Sequence, residues 1–351
     1  MLSSEPPSLI GVATGSFLLP THCLQVDIGA IQMVGDRHLS MCWVIPEALA
    51  VTPAGRPVRD CVGAIVVNYE AGHALLDCVR SLRAEGIDDI IVVDNNSHDG
   101  SVAALAVDDP GVRIVVNDRN LGFGTAVNRG LDSVVLDYLL VCNPDLVVHA
   151  GAVSALHSRL ESDCHFGLVG PALLDISGTA VLSARAFPTV ASSMSQAFTG
   201  LLFPRGRRSV SYHEANRGRA RSDRADWVSG ACFLIRVDVL RALGGFDERY
   251  YMYLEDVDLC WRLREAGFLV SYEPAAKATH LGGLSAARRS YRMIVAHHRS
   301  LWRFARKTTT GGWRLTLPFV SVALIVRLAL ALGVNVTRRG DALPGASTPS
   351  A

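Results

Sequence analysis

The chain has 351 residues, of which 49% are hydrophobic and 19% charged, as is typical of a globular protein. Its 15 prolines and 31 glycines are too few for a fibrous or low-complexity chain. The formal net charge of +1 excludes a uniformly basic protein, and we expect no nucleic-acid partner. Two local runs are basic, one between Arg205 and Arg224 and one from Arg288 to Lys307. Such runs form either solvated surfaces or contacts with phosphates of a ligand or of anionic lipid head groups.

The eight cysteines form no CxxC pair and show no metal-ligand spacing, which indicates reduced thiols in a cytosolic protein. No Lys or Arg precedes the apolar stretch at residues 8–20, so we expect no secretory signal. Residues 1–60 lack sustained hydrophobic periodicity. We predict that they form a poorly ordered N-terminal extension.

Four short apolar runs follow from residue 61 onward, spaced roughly 25 residues apart and alternating with helix-like segments. Their β-branched residues predict buried strands, and the alternation predicts a mostly parallel central α/β sheet flanked by helices. Each run ends in a polar or glycine-rich loop, and ligands bind at this edge in open α/β sheets. The runs are residues 62–68, 90–93, 113–116 and 138–142.

Two later apolar runs, residues 231–237 and 268–274, predict two further strands. Between them an apolar stripe at helical spacing predicts a helix that starts near Leu254 and ends at Gly267. We predict that the main domain spans residues 61–290.

The remainder of the chain is predicted to be a helical, membrane-associating tail at residues 291–339, followed by a disordered end at 340–351. Residues 315–336 are long enough to span a membrane, but they contain Arg327 and Pro318. Three placements remain open: an amphipathic helix in the plane of the interface, a spanning helix, and a helix packed on the protein. We favour the first.

Polar residues follow the first two predicted strands directly. Asn68, Tyr69 and Glu70 come after the first strand, where an ordinary turn is the alternative explanation. Asp94 opens the loop at residues 94–100 after the second strand. An acidic residue at this position can accept hydrogen bonds from a nucleobase or a ribose hydroxyl, although Asx-rich loops also form turns and N-caps for local reasons.

The loops after the third and fourth strands carry a second group of candidates. Asn120 and Gly122 open a helix that bears Asn128, and glycine at a helix N-terminus lets the backbone approach a phosphate. The loop is not a GxGxxG fingerprint, and no GK[ST] phosphate loop occurs in the sequence. Asn143 and Asp145 follow the fourth strand, where their oxygens suit Mg²⁺ or Mn²⁺, with a simple Asn-Pro turn as the alternative.

Two acidic residues begin the predicted helix near Leu254. A carboxylate at Glu255 or Asp256 is a candidate to take a proton from an incoming hydroxyl, and a helix N-terminus stabilises its ionised form. Plain helix capping is the alternative. His280 precedes two glycines and is either a metal ligand or a structural histidine.

Together these segments resemble the family 2 glycosyltransferases of the GT-A fold. The resemblance covers about residues 62–305 and is most specific in the stretch GGFDERYYMYLEDVDLCWRLREAGF. The segment HHRSLWRFARK also resembles the actinobacterial rhamnosyltransferases that add L-rhamnose to polyprenyl-diphosphate-linked N-acetylglucosamine. The other matching segments are NYE, VDNNSHDG, NLGFGTAVNRG, LLVCNPD, WVSGACFLIR and HLGGLS.

The resemblance implies a role for each matching position. Asp256 is implied as the general base with Glu255 beside it, and Asp145 as the ligand of Mg²⁺ or Mn²⁺ with His280 as the second ligand. The implied nucleotide-sugar site consists of Asn68, Tyr69, Glu70, Asp94, Asn120, Gly122, Asn128 and Asn143. The implied acceptor site consists of Trp227, Ser229, Gly230 and Arg185.

One departure concerns the metal site. Many relatives carry Asp-x-Asp where this chain has Asn143-Pro144-Asp145, and a neutral asparagine is a weaker ligand. The resemblance to the rhamnosyltransferase branch implies that the same asparagine is tolerated there.

The function that the resemblance implies is inverting, metal-dependent transfer of a sugar from a nucleotide-diphospho-sugar donor. Our best expectation is L-rhamnose from dTDP-rhamnose, moved to a polyprenyl-linked glycan acceptor in cell-wall or surface polysaccharide synthesis. The enzyme is expected at the cytoplasmic face of the plasma membrane, bound peripherally to an anionic surface, with a single C-terminal anchor as the alternative.

Three rival functions remain. UDP-galactofuranose or GDP-mannose could be the donor in the same fold, because the loop at residues 94–100 does not fix the nucleobase. A catalytically silent membrane-docking protein is the rival from another class. A nucleotidyltransferase is the weakest, because NYEAGH after the first strand lacks the glycine-rich, basic loop that such enzymes need.

Overall fold

The computed structural model describes residues 57–187, 224–282 and 291–340. Residues 1–56 of the predicted N-terminal extension lie outside these ranges. Of the C-terminal end predicted to be disordered, residues 340–351, all but residue 340 also lie outside them. Most of the arginine-rich segment between Arg205 and Arg224 is also outside. The described cysteines are free thiols, and all of them except Cys164 are buried.

The strands form one large sheet and one small one. The described strands are β1 (Val62–Asn68), β2 (Ile90–Asp94), β3 (Arg113–Val116), β4 (Tyr138–Cys142), β5 (Leu146–Val148), β6 (Phe166–Leu174), β7 (Ala184–Arg185), β8 (Arg224–Ala225), β9 (Trp227–Val228), β10 (Cys232–Arg236) and β11 (Leu269–His280). The large sheet has nine strands in the order β3-β2-β1-β4-β10-β6-β11-β5, with β8 paired to β11. The small sheet pairs β7 with β9.

Most strands of the large sheet run in one direction. β1, β2, β3 and β4 are mutually parallel, and β6 and β11 share their direction. β10 lies antiparallel between β4 and β6, and β5 and β8 lie antiparallel to β11. The sheet is therefore mixed but mostly parallel.

Helices cover both faces of this sheet. The described helices are α1 (Val58–Cys61), α2 (Ala74–Ala84), α3 (Ser101–Asp108), α4 (Phe123–Leu131), α5 (Ala152–Glu161), α6 (Val237–Ala242), α7 (Glu255–Glu265), α8 (Tyr291–Thr308) and α9 (Leu317–Gly340), with a 3₁₀ helix at Gly311–Thr316. α2 and α5 bury their apolar side chains in one cluster, and α4, α6 and α7 bury theirs in another.

Strand β1 shows why the sheet is buried on both sides. Val62, Ala64 and Val66 belong to the first cluster, whereas Ile65 and Val67 belong to the second. Successive side chains of a strand point to opposite faces, so a strand between two helical layers needs an unbroken apolar run. This is the pattern that the sequence shows.

The predicted fold class is confirmed: an α/β fold with a mostly parallel central sheet, flanking helices and a helical C-terminal tail. Strand β6 was not among the predicted strands, although it lies between β10 and β11. Its sequence, FGLVGPALL, is broken by two glycines and a proline. A Cβ on Gly170 would lie 2.7 Å from Val228 Cβ, and one on Gly167 would lie 2.9 Å from Leu263 Cδ2. These glycines therefore allow close packing against β6. Because they interrupt the run of apolar residues, the sequence alone did not predict a strand here.

Candidate active site

A carboxylate and an imidazole meet at the end of the sheet. Asp145 precedes β5, and the antiparallel pairing of β5 with β11 sets His280 opposite Leu146. As a result His280 Nε2 lies 3.1 Å from Asp145 Oδ1, and Asn143 Nδ2 lies 3.5 Å from the same imidazole nitrogen. The Leu281 N–H donates to the Asp145 carbonyl and fixes the end of β11.

The donor chemistry of this trio fits a divalent cation. Asp145 is buried, and its carboxylate oxygen faces an imidazole nitrogen with a side-chain amide alongside. Oxygen donors suit Mg²⁺ and Mn²⁺, and an imidazole nitrogen suits Mn²⁺ better than Mg²⁺. Among the described residues, one group of three side chains that could hold a metal ion lies elsewhere, at half-buried Asp163 and exposed Cys164 and His165.

Asp256 lies at the start of α7 and is held by backbone N–H groups. The Gly230 N–H donates to its Oδ2 at 2.8 Å, and the Val257 N–H donates to its Oδ1 at 2.8 Å. Burial raises the pKa of Asp256, while these two N–H groups and the charge of Arg185 lower it in part. The carboxylate is therefore oriented, and it is more basic than an exposed aspartate.

A short chain of contacts links Asp256 to the trio at the sheet edge. The Asn143 N–H donates to the Ala231 carbonyl at 2.9 Å, and the adjacent Gly230 holds Asp256. The Asn143 side chain reaches His280. Residues distant in the chain are thus joined within one network.

Glu255, the neighbour of Asp256, lies in a different environment. It is buried, and its Oε2 has no hydrogen-bond partner. Burial, followed by the charge of Asp256, raises its pKa to about 8. Glu255 therefore favours its protonated form at neutral pH, and Asp256, oriented by two N–H donors, is the carboxylate placed to accept a proton.

The backbone before α7 is strained. Tyr253 and Leu254 both have positive φ, at 67° and 65°, a region that costs side-chain-bearing residues about 1–3 kcal/mol each. Ser300 Oγ donates to the Met252 carbonyl, and the His297 ring packs edge-on against Tyr253 at 5.2 Å. Helix α8 therefore supports the strained turn that positions Glu255.

On the other side of the sheet edge, Asp94 is held in an internal network. Its Oδ1 accepts from Asn68 Nδ2 at 2.8 Å and from Ser97 Oγ at 2.6 Å, and its Oδ2 accepts from the Ser97 N–H. Asn68 also donates to Ser101, and its own Oδ1 is buried without a partner. Asp94 thus has structural contacts that account for its burial, and its contact with a nucleobase remains a prediction.

Tyr69 and Glu70 line the same loops. Glu70 has a positive φ of 52°, and its Oε1 accepts from the His98 N–H, which ties the first loop to the second. The Tyr69 side chain is exposed and close enough to Tyr251 to contribute to the raised pKa of that phenol, behind burial as the main cause.

Gly122 occupies a position that no other residue fits. Its φ of 88° and ψ of 174° lie in a region reserved for glycine, and a Cβ would lie 2.1 Å from the Tyr251 carbonyl oxygen. The Gly122 N–H donates to Asn120 Oδ1, and Asn95 Nδ2 donates to the Gly122 carbonyl. The glycine thus lets this loop lie directly against the segment before α7.

The Asn128 side chain makes hydrogen bonds within the protein. Its Nδ2 donates to the Phe246 carbonyl and to Glu248 Oε1, and its Oδ1 accepts from the Phe246 N–H. The amide therefore fastens α4 to the turn at residues 244–248, since both of its ends are used within the protein. A place beside the ribose and diphosphate remains only a prediction.

The residues assigned to the acceptor lie on the small sheet or directly after its second strand. β7 pairs Arg185 with Trp227 of β9, and the guanidinium carbon lies 5.4 Å from the indole ring centre. Trp227 Nε1 donates to the Ala186 carbonyl, and the Ser229 N–H donates to the Ser183 carbonyl. Next along the chain, Gly230 contacts Asp256, so this surface adjoins the candidate base.

Comparison with known proteins identifies the family. A family model described as glycosyl transferase family 2 matches residues 64–244. The N-acetylglucosaminyl-diphospho-decaprenol L-rhamnosyltransferase of Mycobacterium tuberculosis is 32% identical over 298 residues, which is 80% of this chain and 97% of that protein. The chain belongs to glycosyltransferase family 2.

Other relatives of this family 2 glycosyltransferase are more distant. The rhamnosyltransferase WbbL of Escherichia coli is 28% identical over 41% of this chain and 52% of its own. The solved structure of the mannosyltransferase PcManGT of Pyrobaculum calidifontis, in complex with GDP-Man and Mn²⁺, is 14% identical, with a TM-score of 0.47 over 81% of this chain and 80% of that one.

Several site residues of this glycosyltransferase were missed by sequence reasoning. Ser97 and Asn95 fix the loops after β2 and β3, and the Ala231 carbonyl accepts a hydrogen bond from the Asn143 N–H beside Gly230, which holds Asp256. Ser97 and Asn95 lie within the loop at residues 94–100, which was singled out as a whole although only Asp94 was assigned a role, so its other polar side chains were the available signal. Ala231 acts through its backbone, for which the sequence offers no signal.

Proposed function

We propose that this enzyme transfers L-rhamnose from dTDP-rhamnose, with inversion, to a polyprenyl-linked glycan acceptor in cell-wall or surface polysaccharide synthesis. The observation that carries the proposal is the position of Asp256. Its carboxylate is fixed by the Gly230 N–H and joined through Ala231 to the trio of Asn143, Asp145 and His280. The Mycobacterium tuberculosis and Escherichia coli relatives, both named rhamnosyltransferases, support the choice of sugar.

The reaction is a single displacement. The acceptor hydroxyl gives its proton to Asp256, and its oxygen forms a bond to the anomeric carbon from the face opposite the leaving group. The bond from that carbon to the diphosphate oxygen breaks, and the electron pair leaves with the nucleotide diphosphate. Attack from the opposite face inverts the configuration.

The sheet edge holds the leaving group. Asp145 and His280 would hold Mg²⁺ or Mn²⁺, which supplies positive charge to the departing diphosphate when bound. Asn68, Tyr69, Glu70 and Asp94 are assigned to the nucleoside, and Asn120, Gly122 and Asn143 lie on the loops assigned to the ribose and diphosphate. Arg185, Trp227 and Ser229 are assigned to the acceptor, beside Gly230.

The acceptor's lipid requires the enzyme to work at a membrane. We assign the enzyme to the cytoplasmic face of the plasma membrane, bound peripherally through α9. Within the described residues, Gly311–Gly333 is a helical segment long and apolar enough to cross a membrane, and most of it is uncovered by the rest of the protein. Its exposed apolar side chains support attachment to a bilayer.

Replacing Asp256 with Asn tests the base. The amide keeps the shape but cannot accept the proton, so we expect transfer to fall by about 10²–10⁴-fold with donor binding nearly unchanged. Asp77→Asn, which changes an exposed carboxylate on α2, is the matched control. Transfer in a membrane extract is the measurement, and unaltered turnover in the Asp256 variant would remove this residue from the role.

Calorimetric titration with dTDP-rhamnose, UDP-galactofuranose and GDP-mannose, in Mg²⁺ or Mn²⁺, tests the donor. We expect heat only with dTDP-rhamnose, and weaker binding after Asp145→Asn because one carboxylate ligand is lost. Binding of another donor with no response to dTDP-rhamnose rejects the sugar assignment but leaves the glycosyltransferase assignment intact.

A further inference from the structure

The outer face of α8 carries a basic groove outside the candidate active site. A cavity of about 610 Å³ is lined by Arg249, Arg299, Trp302, Arg303, Arg306 and Lys307. The α8 members at positions 299, 302, 303 and 306 recur at helical spacing and therefore share one face of the helix. Arg249 reaches the groove from the loop before α7.

Two of these cations already have acidic partners. Arg249 Nη2 lies 2.6 Å from Asp247 Oδ2, and Lys307 Nζ lies 2.6 Å from Asp258 Oδ1. Asp258 also pairs with Arg262, and Lys307 lies 3.9 Å from Asp247, so both carboxylates are already engaged with cations of the protein.

The other three cations have no such partner. Among the residues that the structure describes, no carboxylate forms a salt bridge with Arg299, Arg303 or Arg306. Arg303 lies over the Tyr250 ring at 5.8 Å, and its Nε is buried without a hydrogen-bond partner. Three like charges on one helix face repel each other, and an anion in the groove would relieve that repulsion.

The helix that carries the groove is followed in the chain by the apolar part of the tail. After α8, the 3₁₀ helix exposes Trp313 and Leu315, and α9 exposes Phe319, Val322 and Val326. Trp302 lines the groove itself, and tryptophan favours the boundary between apolar and polar membrane regions. α9 packs against α8 through the contact of Arg327 with His298, so a bilayer that receives the exposed apolar side chains of α9 lies next to α8.

We propose that the groove on α8 binds the phosphate groups of anionic membrane lipids and holds the enzyme on the bilayer. The planar guanidinium of arginine pairs with two phosphate oxygens at once, which suits Arg299, Arg303 and Arg306 to this ligand. This inference rests on the membrane attachment proposed above, and it assigns a specific lipid site to it. None of the groove residues is assigned to donor or acceptor sugar.

The test uses the full chain and sedimentation with vesicles of phosphatidylcholine, with and without phosphatidylglycerol. The variant is Arg299→Gln with Arg306→Gln, since both side chains are exposed and their loss leaves the core intact. Each arginine near an anionic surface strengthens binding roughly fivefold, so the double variant should bind phosphatidylglycerol vesicles about 30-fold more weakly. Binding to pure phosphatidylcholine should be unchanged.

The matched control is Arg80→Gln with Arg129→Gln, which removes two exposed arginines from α2 and α4. Equal weakening in the control and the groove variant overturns the proposal, because net charge alone would then explain the effect. Normal vesicle binding by the groove variant also overturns the proposal. If that variant at the same time loses affinity for geranyl diphosphate, the groove binds the diphosphate of the acceptor instead.

Glycosyl transfer to a detergent-dispersed acceptor separates this proposal from the proposed function. The groove variant should keep its transfer rate there, because no bilayer is needed. If the wild-type enzyme transfers no sugar yet shows the expected vesicle binding, the proposed function fails and the lipid site stands.

Discussion

At the residue scale, Glu255 and Asp256 show how two adjacent carboxyl groups take different protonation states. Asp256 receives two backbone N–H groups and lies near Arg185, all of which favour its ionised form against burial. Glu255 is buried with one oxygen unpartnered, so its pKa is raised to about 8. Because Glu255 favours its neutral form at neutral pH, Asp256 has less electrostatic repulsion from its neighbour.

Replacing Glu255 with Gln should change how stability depends on pH. The folded pKa of about 8 exceeds the ordinary value of 4.5, so the folded protein binds more protons than the unfolded chain between these pH values. Wild-type stability therefore falls as pH rises from about 4.5 to 8. Because glutamine carries no charge, the variant should lose much of this slope and be more stable than wild type above pH 8.

Urea unfolding at several pH values measures this effect. Glu265→Gln on the same helix is the control, because that side chain is 62% exposed and should leave the slope unaltered. A Glu255→Gln slope equal to that of wild type would show that the buried carboxyl is not the titrating group.

At the element scale, a buried charge cluster fastens α8 to α7. Asp258 is fully buried, and its two oxygens contact Lys307 Nζ at 2.6 Å and Arg262 Nε at 2.8 Å. The edge-on contact of Trp261 with Phe304 lies between the same two helices. Since α8 also supports the strained turn before α7, this cluster stabilises the position of the candidate base, Asp256, through the packing of α8 against α7.

Replacing Lys307 with Met should therefore destabilise the protein. Removing one partner of a buried ion pair costs about 3–5 kcal/mol, and we expect about 3 because Arg262 still contacts Asp258. Urea unfolding gives the free energy, and a double-mutant cycle with Asp258→Asn isolates the pair.

The surface pair of Arg80 and Asp108 provides the comparison for Lys307. Its side chains are 60% and 31% exposed, so Arg80→Gln should cost less than about 1 kcal/mol. Equal losses at Arg80 and Lys307 would contradict a structural role for the buried cluster.

At the scale of the whole molecule, α8 and α9 form a hairpin with one covered and one open side. Arg327, near the middle of the apolar segment, donates from Nη1 to His298 Nε2 at 2.9 Å, while His298 Nδ1 donates to the Ile294 carbonyl. Burial lowers the pKa of His298, so its neutral ring accepts this hydrogen bond. Arg327, whose charge disfavours a membrane-spanning helix, thus points toward α8.

The open side of α9 should carry the membrane attachment. Val322 and Val326 are 63% and 44% exposed, and we expect the double change to Glu to move the enzyme from the membrane pellet to the soluble fraction, because charge opposes insertion into the bilayer. Val107→Glu with Val135→Glu, at 85% and 84% exposure in the catalytic domain, is the matched control. Loss of membrane binding in both variants would point to net charge and not to α9.

The sequence by itself determined the family, the fold class and most strands of the sheet. These features depend on contiguous residues: an unbroken apolar run such as Val62–Asn68 predicts a doubly covered strand, and a 25-residue motif identifies a family without reference to distant contacts. The loops that end β1, β2 and β4 were recognised for the same reason. Strand β6 escaped because glycines needed for close packing interrupt its pattern.

Only the tertiary structure decided which of the candidate side chains meet. The contact of His280 with Asp145 joins residues 135 positions apart, and that of Gly230 with Asp256 joins residues 26 apart. The use of the Asn128 amide by Phe246 and the raised pKa of Glu255 likewise depend on neighbours that no local pattern specifies. Periodicity reports which face of an element is buried, whereas hydrogen-bond partners and desolvation depend on what the packed chain brings against that face.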